Sequence, residues 1–103
     1  MNKVILSGFL GQDPELKQIN ANTTVVNFSM AYNEKYGQEE VTHWFNFKAF
    51  NKTAEFIDKY FSKGKPIEVE GRLLTQTWEK DGHRNTSTYI LVDNVSFVPG
   101  KKE

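Results

Sequence analysis

The 103-residue sequence contains no cysteine, which excludes a disulfide framework, thiolate zinc ligands and a cysteine nucleophile. It also lacks any apolar run near the roughly 20 residues that a membrane-spanning helix needs, and it shows no signal-peptide pattern. No internal repeat or low-complexity linker interrupts it. We therefore expect one domain, not attached to a membrane.

The chain has no excess of either charge, because 13 Lys and Arg residues balance 13 Asp and Glu residues. Domains that bind nucleic acid usually carry a basic excess, so neutrality argues against such a partner. However, net charge is a sum over the whole surface, whereas binding needs only a local positive track. Neutrality therefore does not exclude a nucleic-acid partner, but it predicts that binding to such a partner would have a shallow salt dependence.

Catalytic signatures are also missing. The sequence has no Gly-rich phosphate loop and no G-x-S-x-G motif. His43 and His83 lie near carboxylates but lack the clustering of a metal site, and Asp13 and Glu15 are interpreted as turn residues around a proline. A nuclease-like enzyme would need a carboxylate cluster, and we find none. We predict no enzyme activity, no metal and no cofactor.

Hydrophobic periodicity predicts five strands and one helix. The predicted strands are 4–11, 25–32, 42–50, 67–78 and 85–98. The predicted helix, 52–63, lies between the third and fourth strands, and 33–40 is interpreted as a loop or a protruding hairpin tip. Asn51 or Thr53 can cap the helix, and its apolar stripe is Phe56, Ile57, Tyr60 and Phe61. The Asp81-Gly82 dipeptide predicts a tight hairpin turn after the fourth strand, whose inward face carries Ile67, Val69 and Leu73. This order fits an all-β OB-fold, a five-stranded Greek-key barrel with one helix. We expect residues 1–98 to form this domain and 99–103 to form a short disordered end.

Aromatic residues are abundant, at 14% of the chain, and several lie on the polar face of a predicted strand. Successive strand residues face opposite ways. In 44–50, one row is apolar and predicts the core face: Phe45, Phe47 and Ala49. The opposite row places two rings around an amide and a cation: Trp44, Asn46, Lys48 and Phe50. Trp78 likewise shares a face with Arg72.

Exposed rings beside cations are typical of surfaces that bind single-stranded nucleic acid. Unpaired bases stack on such rings without a particular sequence, and cations contact the phosphates. Exposed Trp and Tyr are also enriched in protein interfaces. The sequence therefore leaves two functions open, single-strand binding and an OB-fold protein-interaction module, and the interleaved Lys48 and Arg72 favour the first.

The sequence also resembles a known family over residues 2–98. The motifs are NKVIL at 2–6, GQDPEL at 11–16, the aromatic strand at 44–50, YFSKG at 60–64 and VEGRL at 69–73. They are similar to the OB domain of bacterial and phage single-stranded DNA-binding proteins. The resemblance implies binding without strong sequence preference, protection of single strands in replication, recombination and repair, and a cytoplasmic, nucleoid-associated location in a bacterium or phage-infected host.

The resemblance also implies roles for individual residues. The expected stacking rings are Trp44, Phe50, Trp78 and, on a hairpin, Tyr36. The expected phosphate contacts are Lys3, Lys48, Lys52, Lys63, Arg72, Lys80 and Arg84. A homotetramer that wraps single-stranded DNA is implied as well.

Two features depart from the family pattern. Positions 74, 76 and 77 carry Leu, Gln and Thr where relatives often have Arg or Lys, so the path to Trp78 is less basic. The sequence ends at Glu103 without the disordered, acidic-tipped tail through which family members recruit enzymes. Either the sequence is a truncated form of a longer protein, or it is a naturally tail-less member of a kind that a phage or mobile element would encode. In both cases the recruitment function is not carried over, and we expect no tail-dependent protein partners.

Overall fold

The computed structural model describes residues 1–98, and the predicted disordered end, 99–103, lies outside the described residues. Six strands and one helix form the domain. Their bounds are β1 (Val4–Leu10), β2 (Glu15–Asn20), β3 (Thr23–Tyr36), β4 (Glu39–Phe50), α1 (Asn51–Tyr60), β5 (Pro66–Lys80) and β6 (His83–Ser96).

Five of the strands close into a barrel, which confirms the predicted OB-fold. The hydrogen-bonded order is β1-β5-β6-β4-β3, and β3 pairs back with β1 at Phe9↔Ala31 and Leu10↔Met30. β4 and β6 pair in parallel, at Phe47↔Ile90 and Lys48↔Leu91, whereas the other strand pairs are antiparallel.

The sixth strand, β2, corrects the prediction of five. It lies on the outer edge of β3 and pairs with it from Glu15↔Asn27 to Asn20↔Thr23. All six of its residues are exposed, so its sequence carries no alternation of buried and exposed positions. The helix consequently lies between the fourth and fifth observed strands rather than the third and fourth.

The barrel interior holds a single apolar core. Phe28 and Phe47 face each other across β3 and β4, with stacked rings whose centroids are 5.0 Å apart. Ala54 and Ile57 of α1 are completely buried against it. The row of β4 predicted to face inward does so, since Phe47 and Ala49 are buried and Phe45 packs against the core.

The helix is shorter than the predicted 52–63. It begins at Asn51 and ends at Tyr60, after which Phe61 is extended and its N–H donates to the Ile57 carbonyl at 3.0 Å. Asn51, a predicted cap, instead accepts a hydrogen bond from the Thr24 N–H at 3.0 Å. Tyr60, predicted as part of the buried stripe, is exposed.

Both long hairpins extend further than predicted. Of the two alternatives for 33–40, the structure shows the hairpin tip and not the loop, because β3 and β4 stay paired up to Tyr36↔Glu39. Only Gly37 and Gln38 form the turn between them. Asp81 and Gly82 connect β5 to β6 with φ of 53° and 77°, and positive values at both positions are what a type I′ turn requires. The Asp-Gly turn prediction is therefore confirmed.

The β5–β6 hairpin leaves the barrel beyond Gly71. Ile67 and Val69 are buried, but Leu73, predicted on the same inward face, is 48% exposed. The reason is that inward-facing residues of this hairpin are covered only where the barrel lies beneath them. The protruding part stands beside the outer face of the barrel.

Candidate nucleic-acid interface

One outer face of the sheet runs continuously across β3, β4, β6 and β5. Directly paired residues point to the same side of a sheet, so the register defines this face. Asn27 pairs with Lys48, Lys48 with Leu91, and Leu91 with Arg72. The two cations that sequence parity placed on polar faces therefore lie in one row across the four strands.

A groove lies between the outer surface of β3–β4 and the protruding β5–β6 hairpin. It encloses about 250 Å³. Its lining includes amide residues from four separate segments, which are Gln12, Asn27, Asn46 and Gln76, together with the single cation Lys48. Of the three aromatic residues in the lining, Phe28 and Phe47 are buried and Tyr89 is partly exposed. The groove therefore offers many neutral hydrogen-bonding groups around a single ammonium.

Lys48 is the one cation in the lining of this groove, and it is half-buried. Its Nζ lies 5.0 Å from the centroid of the Tyr89 ring and donates to Gln76 Oε1 at 3.3 Å. Sequence reasoning missed Tyr89. Strand parity on β6 would have found it, because Ile90 and Val92 face inward and Tyr89 must then face outward.

Trp44 lies next to the groove and is 60% exposed. It lines a second cavity of about 180 Å³, which shares Asn46 and Tyr89 with the groove. Its indole also lies against Gly11, where an added Cβ would come within 2.4 Å of Trp44 Cζ3. Glycine at position 11 therefore leaves the space that the indole ring occupies.

Phe50 and Trp78 lie on the same outer face as Trp44 but at a distance from it. Phe50 is the last residue of β4, and it lies six residues, or about 20 Å, along the strand from Trp44. It is 36% exposed. Trp78 is 42% exposed and pairs with Asn85 near the end of the hairpin.

Tyr36 lies apart from the groove, near the tip of the β3–β4 hairpin. Its hydroxyl donates to the Glu34 carboxylate, and this hydrogen bond raises the pKa of the Tyr36 phenol. The same carboxylate lies 3.3 Å from His43 Nε2. The Tyr36 ring itself remains exposed.

Two of the predicted phosphate contacts form ion pairs within the domain. Lys3 pairs with Glu70, and the hydrogen bond from Lys3 to that carboxylate raises the pKa of Lys3. Arg72 Nε lies 3.6 Å from Asp93 Oδ2. All four side chains are partly exposed, so these pairs are weak and can be exchanged for other anions.

The remaining predicted cations lie outside the groove lining. Lys52 lines a separate cavity beside Phe56 and Val95, and Lys63 follows the helix, where its backbone N–H donates to Asp13 Oδ1 at 2.8 Å. Lys80 and Arg84 lie at the end of the β5–β6 hairpin. The predicted cations therefore form a broken track rather than one cluster.

Within residues 1–98, no three His, Cys, Asp or Glu side chains are grouped as a metal site would need. The same described part of the chain contains no helix that is long and apolar enough to cross a membrane.

Comparison with known proteins identifies the family. The single-strand binding protein family matches residues 1–98. The chain is 38% identical to the single-stranded DNA-binding protein of Aquifex aeolicus, covering 95% of this chain and 70% of that protein. It is 33% identical to single-stranded DNA-binding protein 1 of Chlorobaculum tepidum, covering 98% of this chain and 67% of that protein. It is 36% identical to the single-stranded DNA-binding protein of Neisseria meningitidis, covering all of this chain and 63% of that protein. With this match over nearly its whole length and the closed barrel described above, the chain belongs to the single-strand binding protein family.

Proposed function

We propose that this chain binds single-stranded DNA with little sequence preference and catalyses no reaction. The observation that carries the proposal is the placement of Trp44 and Lys48 on one outer face of the barrel, lining adjoining cavities. An exposed indole offers a stacking surface to any base, and an ammonium beside it can contact the phosphate that follows. The family of the chain supports this function.

The proposed DNA path crosses the outer sheet face between the exposed rings. Trp44 and Phe50 lie at the two ends of the β4 row, and Trp78 extends the face onto the hairpin. The rings stack on bases, and the carboxamides between them can donate to or accept from any base edge. Tyr36 is proposed as a further stacking ring on the β3–β4 hairpin.

A single strand fits this surface better than a duplex. Reading a duplex requires a helix or a two-stranded ribbon that enters a groove. The one helix in residues 1–98 buries Ala54 and Ile57 against the barrel. The outer face instead presents separate rings, which only unstacked bases can use.

The alternative function is a protein-interaction module that uses the same rings. Charged residues are depleted from the centres of protein interfaces. Lys48 lines the groove on this face together with four amide residues, and Phe28 and Phe47 of the same lining are buried. This composition favours DNA over a protein partner.

The proposed function predicts that oligo-dT binds more tightly than a duplex of equal length and quenches tryptophan fluorescence. Each phosphate neutralised on a single strand contributes about −0.7 to the slope of log K against log salt. Because Lys3 and Arg72 already pair with carboxylates, we expect a shallow slope, with stacking supplying most of the affinity. A fluorescence titration of both DNAs at two salt concentrations measures all three quantities.

Two results of this titration would contradict the proposal. Equal affinity for duplex and oligo-dT would show that bulk electrostatics, not stacking, governs binding. Absence of binding to oligo-dT at low salt would leave the protein-interaction function as the better one.

We also propose that the chain forms a homo-oligomer, and specifically the homotetramer that its family implies. The outer side of β1 supports this proposal, because Ile5 is 65% and Phe9 44% exposed on the same face of the strand. Large apolar side chains exposed together on a strand are typical of a surface that a second copy covers.

Substitution of Ile5 with glutamate is expected to convert the oligomer into smaller species, because a carboxylate would be desolvated at the interface. Ile5 contributes nothing to the core, so the monomer fold should survive. Sedimentation velocity measures the mass, and Thr75→Glu on the hairpin serves as a control of equal charge. An unchanged mass of Ile5→Glu would place the interface elsewhere.

In the cell, such a protein would protect single strands exposed during replication, recombination and repair. We therefore place it in the cytoplasm of a bacterium or of a phage-infected host, in association with the nucleoid.

A further inference from the structure

The Lys48 ammonium differs from Lys3 and Arg72 in the groups that it contacts. It lies over the Tyr89 ring and donates to the Gln76 carboxamide, and both partners are neutral. Within residues 1–98 no carboxylate forms an ion pair with it, whereas Lys3 and Arg72 are each paired with one. Lys48 is therefore held in place by neutral groups and not by an ion pair.

Neutral partners leave the ammonium able to bind an anion. An ammonium has three donors, and one of them is directed to Gln76 Oε1. The face of the Tyr89 ring attracts the positive charge through its quadrupole and accepts no proton. Holding a long side chain in one position also removes much of the ordering entropy that phosphate binding would otherwise cost.

We propose that Tyr89 is a positioning residue for DNA binding, which together with Gln76 presents the Lys48 ammonium to a backbone phosphate of the single strand. This inference rests on the proposed function and deepens it. Tyr89 acts through Lys48 and not as a stacking platform, because the ammonium already covers one face of its ring. The half-buried position of Tyr89 fits this role, since Trp44 is far more exposed.

The test is a comparison of Tyr89→Leu with the conservative variant Tyr89→Phe. The leucine removes the ring, so we expect a threefold to tenfold loss of oligo-dT affinity. We also expect the salt slope to become shallower by about 0.7, the contribution of one lost phosphate contact. Phenylalanine restores the ring, and we expect it to restore the slope. Oligo-dT titrations at four salt concentrations give both quantities.

A double variant shows whether Tyr89 acts through Lys48. We expect Lys48→Ala alone to make the slope shallower by about 0.7 and to have no further effect on the slope in the Tyr89→Leu background. An undiminished effect of Lys48→Ala in that background would overturn the proposal. So would a Tyr89→Leu variant that loses affinity at unchanged slope, because that result identifies a ring that stacks on a base.

A second variant, Gln76→Glu, tests the proposal without removing the ring. It places a carboxylate where the neutral amide meets Lys48, so the carboxylate should form an ion pair with the ammonium. The slope of log K against log salt should then again become shallower by about 0.7. Thr75→Glu adds the same charge to the opposite face of the hairpin, and we expect a smaller change in slope. Equal effects of the two variants would contradict a local role for Lys48. Failure of the proposed function itself would be visible separately, as absence of oligo-dT binding by the unaltered protein.

Discussion

Replacing Trp44 with alanine should weaken oligo-dT binding by about 1–3 kcal/mol, or about fivefold to more than a hundredfold. The indole is 60% exposed on the outer face, so its removal deletes a stacking surface and little buried area. We therefore expect the midpoint of thermal unfolding to change little. Fluorescence anisotropy of a labelled oligo-dT measures the affinity, and circular dichroism measures the melting temperature.

Controls for Trp44→Ala come from the same face. Trp44→Phe retains a ring and should retain most of the affinity, while Phe50→Ala should weaken binding by a similar 1–3 kcal/mol. Asn46→Ala lies between the two rings in the same row and removes a hydrogen-bonding carboxamide but no ring, so we expect it to weaken binding less than the loss of either ring. Unchanged affinity in both Trp44→Ala and Phe50→Ala would show that DNA does not follow the β4 row.

Replacing Phe47 with alanine should lower the free energy of unfolding by about 3–5 kcal/mol. The ring is 2% exposed and stacks on Phe28, so its loss leaves a cavity that the closed barrel cannot collapse to fill. Domains of this kind have a total stability of about 5–15 kcal/mol, so the variant would approach the limit of folding. Urea denaturation followed by circular dichroism measures the change.

Phe47→Leu is the matched variant, since it keeps most of the buried volume and should lose less stability. An unfolding free energy of Phe47→Ala equal to that of the unaltered protein would contradict its place in the core. Together, Trp44→Ala and Phe47→Ala should affect different quantities, one binding and the other stability. These two residues, three apart on one strand, would then differ in role because they lie on opposite faces of that strand.

Much of the fold could be predicted from the sequence because it is encoded locally. The alternation in β4 predicted which rings are buried, and the Asp81-Gly82 dipeptide predicted the β5–β6 turn. The edge strand β2 could not be predicted this way, since none of its residues is buried and no periodicity marks it. The exposure of Leu73 could not be predicted either. Parity assigns a residue to one of the two faces of a strand, but it does not show where the barrel beneath that face ends.

The candidate site was predictable residue by residue but not as an arrangement. Parity indicated that Trp44, Phe50 and Trp78 lie on polar faces, and each of them is exposed. The predicted cations, however, could not be told apart in the sequence. Whether Lys3 meets a carboxylate depends on Glu70, which is distant in sequence and is brought beside it only by the pairing of β1 with β5.

The sequence by itself determined the absence of cysteine, the even charge balance and the number of aromatic rings, because these are counts of residues. It also determined the strand faces on which the rings lie, because period-two alternation involves only neighbouring residues. Only the tertiary structure decided which charges are cancelled and which remain available. The pairing of β1 with β5 brings Lys3 to Glu70, and the pairing of β5 with β6 brings Arg72 to Asp93. The pairing of β4 with the β5–β6 hairpin brings Tyr89 and Gln76 to Lys48. The physical reason is that electrostatic interactions depend on distances of a few ångströms, and for these residues folding sets those distances.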